Sequence, residues 1–248
     1  MTVPRRVVAI TGAGGALGAA ISQQLASEPA TDLMLSDVSE SSLEATVAGV
    51  PPSDGSIETM LADVSEFSEV EAVITRAVAR FGRLDVMIGN AGVLSSNGRI
   101  HNLETEEWER AFRINLLGAV NGIRAAVAVM RPQGSGSIVL TASVSGLTAW
   151  SHAAPYCATK AAVIQLAKVA AVEYARDAIR VNCVCPGTFR SAIHDDLPQD
   201  ALDAIAERHP LGLGSATDLA GAYSYLASDA SRWTTGSAIV VDGGYSAP

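Results

Sequence analysis

The chain has 248 residues, of which 48% are hydrophobic and 17% charged, enough to bury a large core and ordinary for a single α/β domain. Its formal net charge of −9 disfavours nucleic acid and anionic membrane surfaces as partners, because both would repel it. No apolar run reaches the roughly 20 residues of a membrane span and no signal peptide is apparent, so we expect a soluble cytoplasmic protein. Three cysteines that cannot all pair and four scattered histidines predict free thiols and no bound metal.

Short β-branched or apolar runs alternate with longer segments of helical period along the whole chain. They predict seven strands, at residues 7–11, 33–36, 57–61, 84–88, 137–141, 179–184 and 238–241. Helices are predicted at residues 16–27, 66–81, 105–130, 153–176 and 216–227, with a further one beginning near Ser39. This pattern predicts a single domain over residues 1–248, a Rossmann-type doubly wound parallel sheet with helices on both faces.

A glycine-rich loop follows the first predicted strand and opens the first helix. Glycines at such a turn let backbone amides approach a pyrophosphate at the helix N-terminus, where the helix dipole favours negative charge. A simple turn is the alternative, but the strand before the loop and the helix after it favour a dinucleotide site. The residues assigned to this site are Thr11, Gly12, Gly14, Gly15, Ala16, Leu17 and Gly18.

The second predicted strand ends in an acidic residue, Asp37. A carboxylate at this position can accept hydrogen bonds from both adenosine ribose hydroxyls, which selects NAD over NADP. Alternatively, Asp37 caps the helix that begins near Ser39. We favour the ribose role, because Ser36 and Ser39 are also available as caps.

Tyr156 and Lys160 are four residues apart in the fifth predicted helix, with small side chains between them. Positions i and i+4 lie on one helix face, so the ammonium can approach the phenol. A nearby positive charge favours phenolate and is expected to lower the tyrosine pKa from about 10 towards the range of a general base. A pair at this spacing also occurs by chance on surface helices, so the rest of the chain has to support the assignment.

The long irregular region at residues 186–213 is expected to hold a small helix near residues 199–208. Such a loop late in an α/β chain predicts a mobile lid over the substrate. Trp150 is the strongest candidate for a pocket wall, because a large aromatic side chain supplies apolar area where water must be excluded.

Several motifs in a fixed order resemble the short-chain dehydrogenase/reductase family over essentially the whole chain. They are the glycine-rich loop, Asn90-Ala91-Gly92 after the fourth strand, Asn115, Ser143 thirteen residues before Tyr156, Lys160, and Pro186-Gly187. The resemblance implies an oxidoreductase that exchanges hydride between NAD(H) and a small secondary alcohol or ketone. It also implies a homotetramer in which the helices at 105–130 and 153–176 pack between subunits.

The resemblance assigns roles to individual residues. Tyr156 would transfer the hydroxyl proton, while Lys160 would acidify it and hold the nicotinamide ribose. Ser143 would orient the reacting oxygen, and Asn115 would hold a water that links Lys160 to solvent. For Ser143 and Asn115 the alternatives are a strand-end bond to backbone and a bond to a neighbouring loop. The remaining cofactor contacts implied are Asp63 and Val64 at adenine, and Thr188 at the carboxamide.

The equal alternative for Asp63 is a helix cap at the end of its strand. For the whole chain, one alternative function is an NADPH-dependent 3-oxoacyl carrier protein reductase. Asp37, the lack of a basic residue in the glycine loop and the negative net charge all disfavour it. A second alternative is a dinucleotide sensor without turnover, which would not need Asn115, Ser143, Tyr156 and Lys160 together.

Overall fold

A computed structural model of the chain describes residues 5–191 and 199–247. Within these residues seven parallel strands form one sheet in the order β3-β2-β1-β4-β5-β6-β7. The strands are β1 Arg6–Thr11, β2 Thr31–Asp37, β3 Ile57–Leu61, β4 Val86–Gly89, β5 Gly136–Thr141, β6 Ile179–Pro186 and β7 Ala238–Val241. The prediction of a seven-stranded, doubly wound parallel sheet is confirmed.

The helices of the described residues lie between these strands. They are α1 Ala16–Ala26, α2 Glu40–Ala48, α3 Phe67–Phe81, α4 Thr105–Ala111, α5 Gly118–Gln133, α6 Ala154–Tyr174, α7 Gln199–Glu207 and α8 Ala216–Ala227. Helix α7 confirms the small helix predicted near residues 199–208. The rest of the predicted lid includes residues 192–198, which lie outside the described residues.

Both faces of the sheet are covered, as the nearly continuous apolar runs of the strands require. In β1, Val7 and Ala9 belong to the core beneath α3, α5 and α6, while Val8 and Ile10 belong to the core beneath α1 and α8. This alternation follows from the two-residue period of a strand. Helix α1 packs against α8, so each face carries its own helical layer.

The predicted helix at residues 105–130 is not uniform. Helices α4 and α5 continue into each other through a π-helical turn at Phe112–Leu117 and end together at Gln133. Among the described residues this 29-residue helix is long and apolar enough to cross a membrane. Because α5 packs on α3 and on β4, we read it as a core helix. Single π turns frequently mark functional positions, and this one contains Asn115.

The strand order reverses direction between β1 and β4, which are neighbours at the centre of the sheet. In an open α/β sheet the crevice beyond the carboxyl ends of such strands is the usual ligand site. The two segments that follow these strands come very close to each other. A Cβ added to Gly12 would lie only 2.6 Å from the Cα of Ala91. Gly12 also has a φ of +64°, so two constraints require glycine at this position.

Candidate active site

The glycine loop lies between the end of β1 and the start of α1, as predicted. Gly15 is the N-cap of α1 and has no side chain, which leaves the first amides of the helix available to an anion. A Cβ on Gly15 would meet only the Gly12 carbonyl oxygen, at 3.6 Å, so the approach to the helix is open. In contrast, a Cβ on Gly18 would lie 2.1 Å from that oxygen, so Gly18 is what allows α1 to pack closely on the loop.

The carboxylate of Asp37 lies beside this loop at the end of β2. Its Oδ2 accepts a hydrogen bond from the Gly14 amide at 2.9 Å, and its Oδ1 accepts one from the Ser39 amide at 3.1 Å. Ser39, and not Asp37, is the N-cap of α2, because its hydroxyl accepts from the Ser42 amide. Asp37 therefore supports the loop and its carboxylate remains partly exposed at the crevice.

Three side chains join the carboxyl ends of the central strands. The Thr11 hydroxyl accepts from the Asn90 amide at 3.2 Å, and Asn90 Nδ2 donates to the Gly12 carbonyl at 2.9 Å. The Thr141 hydroxyl donates to Asn90 Oδ1 at 3.2 Å and contacts the Tyr223 hydroxyl at 2.8 Å. Thr11 and Asn90 are thus bound to protein here, and they shape the crevice through backbone positions.

Asn115, in the π turn of the long helix, holds the segment after β4. Its Oδ1 accepts from the Val93 amide at 2.7 Å, and its Nδ2 donates to the Val93 carbonyl at 2.9 Å and to Thr159 Oγ1 at 3.2 Å. The bond to a neighbouring loop, given as the alternative for this residue, is therefore present. Gly92 lies above the pair, because a Cβ there would be 3.2 Å from Asn115 Oδ1 and 3.3 Å from Lys160 Nζ. Asn115 and Lys160 thus converge beneath Gly92.

Lys160 is buried, with only 3% of its surface exposed. Its ammonium donates to the Thr141 carbonyl at 2.8 Å and lies 5.6 Å from the centre of the Tyr156 ring. Burial lowers the pKa of Lys160 to about 8, since a charged group is less favourable away from water. The side chain is still mostly charged at neutral pH.

The expected lowering of the Tyr156 pKa is not found in the structure. Burial raises the pKa of Tyr156, and this exceeds the opposing effect of its hydrogen bond with Ser143. The ammonium of Lys160 is engaged by the Thr141 carbonyl, so helical spacing alone does not acidify the phenol. Desolvation is the larger effect at this position.

Ser143 follows β5 and is buried next to Tyr156. Its hydroxyl accepts a hydrogen bond from the Ser145 amide at 3.1 Å, the strand-end bond given as the alternative. The same side chain also reaches the Tyr156 phenol. Ser143, Tyr156 and Lys160 therefore form one group at the end of β5 and the start of α6.

The predicted adenine contacts lie further out, at the end of β3. Asp63 Oδ1 accepts from the Ser65 amide at 2.8 Å, so its carboxylate closes a turn before α3. Val64 is buried in the core, where a Cβ on Gly118 would lie 2.7 Å from its Cγ2 atom. The side chain of Val64 is therefore used for packing, and a contact with adenine would have to come from its backbone.

The last predicted contacts follow β6. Pro186 ends the strand, and a Cβ on Gly187 would lie 2.6 Å from the Cα of Asp242, so glycine is required where the chain passes β7. The Thr188 amide donates to Nε2 of the buried His209 at 3.1 Å. Thr188 is half-buried, and it follows the carboxyl end of β6 as Ser143 follows that of the neighbouring parallel strand β5.

An aromatic wall lies beside the group formed by Ser143, Tyr156 and Lys160. The Trp150 ring centre is 6.2 Å from that of Tyr156 and 6.2 Å from that of Tyr245, which in turn is 4.8 Å from His209. This position is consistent with the prediction that Trp150 forms a wall of the substrate pocket. Its indole nitrogen is buried and has no hydrogen-bond partner among the described residues.

Several site residues were not found from the sequence. Lys160 itself was predicted, but the Thr141 carbonyl that accepts its hydrogen bond was not, because every residue has a backbone carbonyl and residue type gives no sign of it. His209 and Tyr245 come from the last third of the chain and reach the site only through folding. A lone histidine before Pro-Leu-Gly has no characteristic spacing to any other motif.

A glycine loop at the switch point of a doubly wound sheet, with an acidic residue at the end of β2, is the arrangement of a dinucleotide-binding α/β protein. Comparison with known proteins gives a more specific result. The family model described as enoyl-(acyl carrier protein) reductase matches residues 12–246. The chain belongs to the short-chain dehydrogenase/reductase family, whose members use nicotinamide dinucleotide cofactors, and it is an oxidoreductase.

Characterised relatives match nearly the whole chain. Levodione reductase of Leifsonia aquatica is 35% identical, over 98% of this chain and 94% of its own. A crystal structure of levodione reductase, 34% identical, superposes with a TM-score of 0.92 and covers 99% of both chains. Cis-4-hydroxycyclohexanecarboxylate dehydrogenase of Sinomonas cyclohexanicum is 35% identical over 98% of this chain and 97% of its own. A 3-oxoacyl-acyl-carrier-protein reductase of Thermotoga maritima is 33% identical over 98% of this chain and 99% of its own.

Proposed function

We propose that the protein is an NAD-dependent dehydrogenase that interconverts a secondary alcohol and its ketone. The observation that carries the proposal is the group of side chains at the end of β5 and the start of α6. The Tyr156 phenol lies within reach of Ser143 and its ring lies over Lys160, and Asn115 approaches Lys160 beneath Gly92. A non-catalytic sensor would have no need of this group.

Each residue of the site has a separate role in the reaction. Ser143 binds the substrate oxygen and holds it at the phenol of Tyr156. In oxidation Tyr156 accepts the hydroxyl proton, and in reduction it donates a proton to the carbonyl oxygen. Because burial raises the pKa of Tyr156, the phenol holds its proton at neutral pH, which suits it to the reductive direction. The nicotinamide cofactor, when bound, supplies or accepts the hydride.

Lys160 and Asn115 support this proton transfer. The Lys160 ammonium holds the nicotinamide ribose and supplies positive charge below Tyr156. Asn115 holds a water that links Lys160 to solvent, in addition to fixing Val93. Both side chains are buried, so their positions are set by protein contacts and not by solvent.

The cofactor lies along the carboxyl ends of the strands in this proposal. The first-turn amides of α1 at Ala16 and Leu17 would bind the pyrophosphate, with Gly15 leaving the approach open, and Asp37 would bind the adenosine ribose. Asp63 and Val64 lie at adenine, and Asn90, Ala91, Gly92 and Gly187 form the walls of the crevice. Thr188 binds the carboxamide of nicotinamide. The partly exposed Asp37 carboxylate supports NAD as the cofactor, because it would repel the 2′-phosphate of NADP.

For the substrate we propose a small cyclic secondary alcohol or ketone. The name of one relative places a hydroxyl on a cyclohexane ring, and the aromatic wall of Trp150 and Tyr245 beside Tyr156 would pack against such a ring. The carrier protein reductase remains the second candidate because of the 33% identical relative. The net charge of −9 disfavours docking of an acidic carrier.

For the cellular compartment and the oligomeric state we propose a cytoplasmic homo-oligomer. All three cysteines are free thiols, with Cys183 and Cys185 buried in β6, which suits the reducing cytoplasm. We further propose a homotetramer, as the family resemblance implies.

The test is turnover by the purified protein across a panel of cyclic and open-chain secondary alcohols with NAD, monitored by NADH fluorescence. The panel includes a 3-hydroxyacyl thioester. We expect activity with ring alcohols, and a kcat at least ~100-fold lower in Tyr156→Phe with NADH binding retained, because only the proton-transferring hydroxyl is removed. Tyr225→Phe, at an exposed tyrosine on α8, is the matched control. Undiminished turnover in Tyr156→Phe would refute the mechanism, and turnover of the thioester alone would favour the second candidate.

A further inference from the structure

A buried histidine just beyond α7 makes two hydrogen bonds that connect separate parts of the chain. His209 is 3% exposed, its Nδ1 lies 2.9 Å from the Ile205 carbonyl, and its Nε2 lies 3.1 Å from the Thr188 amide nitrogen. A carbonyl can only accept and an amide N–H can only donate. The ring therefore carries its hydrogen on Nδ1 and uses Nε2 as an acceptor.

The Thr188 amide is held differently from its neighbours. The Gly187 amide donates to the Val241 carbonyl at 2.9 Å, and the Arg190 amide donates to the Gly214 carbonyl at 2.9 Å. These two bonds are backbone to backbone and do not depend on side-chain identity. The Thr188 amide is instead bound by a side chain, so the orientation of this peptide depends on the residue at position 209.

The imidazole is itself fixed on both sides. Nδ1 donates to the Ile205 carbonyl in the last turn of α7, which also accepts from the Arg208 amide at 3.3 Å. The ring centre lies 4.8 Å from that of Tyr245, at an interplanar angle of 35°, and Tyr245 contacts Trp150 in the aromatic wall. His209 is thus a rigid link between α7, the aromatic wall and Thr188.

We propose that His209 is a positioning residue for the nicotinamide end of the cofactor. It sets the Thr188 peptide in the orientation in which Thr188 binds the carboxamide, and it does so through Nε2 and not by touching the cofactor. The inference rests on the proposed function, in which Thr188 has this role. A change at His209 should therefore weaken the nicotinamide half of the site and leave the adenosine half unaffected.

Two amide variants separate the two ring nitrogens. In His209→Asn the side-chain NH₂ replaces Nδ1–H and keeps the bond to Ile205, but the acceptor for Thr188 is lost. In His209→Gln the carbonyl oxygen reaches the position of Nε2 and keeps the acceptor. His209→Phe is a third variant, which retains a ring against Tyr245 without any acceptor.

The readout is the Kd of each protein for NADH and for ADP-ribose, which lacks the nicotinamide. We expect His209→Asn and His209→Phe to bind NADH about 5- to 10-fold more weakly, as the loss of one net hydrogen bond predicts, with ADP-ribose binding unchanged. His209→Gln should recover most of the loss. The KM for NAD should rise in parallel in the Asn and Phe variants.

The outcomes distinguish the inference from the function on which it rests. If the wild type binds NADH and ADP-ribose equally well, nicotinamide makes no net contact and the assignment of Thr188 is wrong. If the wild type prefers NADH but the Asn and Phe variants keep that preference, the assignment stands and the role of His209 is refuted. Equal weakening of both ligands would show general loosening of the fold and would also refute it. Should His209→Asn fail to fold, the comparison of Phe with Gln gives the same decision.

Discussion

The carboxylate of Asp37 selects the dinucleotide in our proposal, and its charge gives a direct prediction. Two like charges about 4 Å apart cost on the order of 1 to 4 kcal/mol between bulk water and a surface-like dielectric. We expect kcat/KM to favour NAD over NADP by at least ~10-fold in the wild type, and the preference to shrink in Asp37→Ser. Both cofactors are measured with one good alcohol substrate.

The bonds of Asp37 to the Gly14 and Ser39 amides require a control, because Asp37→Ser also removes support from the glycine loop. Asp37→Asn removes the charge and keeps one of the two oxygen acceptors, so one of the two amide hydrogen bonds can be retained. It should relax the preference as Asp37→Ser does, with a smaller loss of NAD affinity. Equal efficiency with both cofactors in the wild type would remove Asp37 as the selector and favour the carrier protein reductase.

Lys160 should make the stability of the protein depend on pH. Burial lowers its pKa to about 8, from 10.5 in the unfolded chain. Below pH 8 the lysine is charged in both states and the burial penalty is present in full. Between pH 8 and 10.5 the unfolded chain binds more protons than the folded protein, so stability rises with pH over this window.

The prediction is tested against Lys160→Met, which has no group to titrate at this position. From pH 8 to 10.5 the wild type should gain stability relative to the variant, by up to roughly 3 kcal/mol for a difference of about two and a half pKa units. The free energy of unfolding of both proteins in urea, at several pH values, gives this difference directly. All other titrating groups cancel in the comparison. A difference that stays constant with pH would show that Lys160 is not desolvated as the structure indicates.

The π turn between α4 and α5 is the element on which the loop after β4 depends. Asn115 projects from it and makes hydrogen bonds to both the amide and the carbonyl of Val93. We expect Asn115→Ala to lower stability by about 1 to 3 kcal/mol, because it leaves the amide and the carbonyl of the half-buried Val93 without their hydrogen-bond partner. It should also lower kcat/KM at least ~10-fold, because Val93 and Gly92 border the cofactor crevice.

Asn182 in β6 offers a matched control. It is fully buried and also bonds one carbonyl, of Thr234, and one amide, of Ser237, but on a loop before β7. Asn182→Ala should cost a similar amount of stability with little change in kcat/KM. Urea unfolding and steady-state kinetics of both variants make the comparison. Equal kinetic losses in the two variants would mean that Asn115 acts only through stability.

The surface of the described residues carries an apolar area that a single copy does not cover. On α6, Val169 and Val172 are three residues apart on one face and exposed, Val172 by 81%. Phe112 and Leu117, in the π turn, are exposed as well. Apolar side chains grouped in this way favour an interface, and these are the helices that the proposed tetramer would use.

We expect a particle of about four times the 25.5 kDa of one chain by size-exclusion chromatography with light scattering. Val172→Asp should give a smaller particle, because a carboxylate would be buried without a partner. Val47→Asp, on α2 at the other end of the sheet, should leave the mass unchanged. A wild type that elutes as a monomer would refute the tetramer.

Local patterns along the sequence were enough for the architecture. Apolar runs and helical periodicity located all seven strands to within a few residues, and the βαβ alternation left the doubly wound parallel sheet as the consistent topology. The glycine loop was located because only glycine tolerates the close approach at Gly12 and Gly18, and that requirement is visible in residue type. The pairing of Tyr156 with Lys160 follows from helical spacing alone.

The protonation and the contacts of the site residues were decided by the tertiary structure. Burial is a property of the whole fold, and it raises the pKa of Tyr156 where spacing predicted a decrease. The same applies to Val64, whose side chain packs against Gly118, a residue distant in sequence. His209 reaches Thr188 across 21 positions because β6 and α7 end next to each other. The sequence by itself determined the order of elements and the types of functional groups, while long-range contacts determined which atoms meet and how far each group is removed from water.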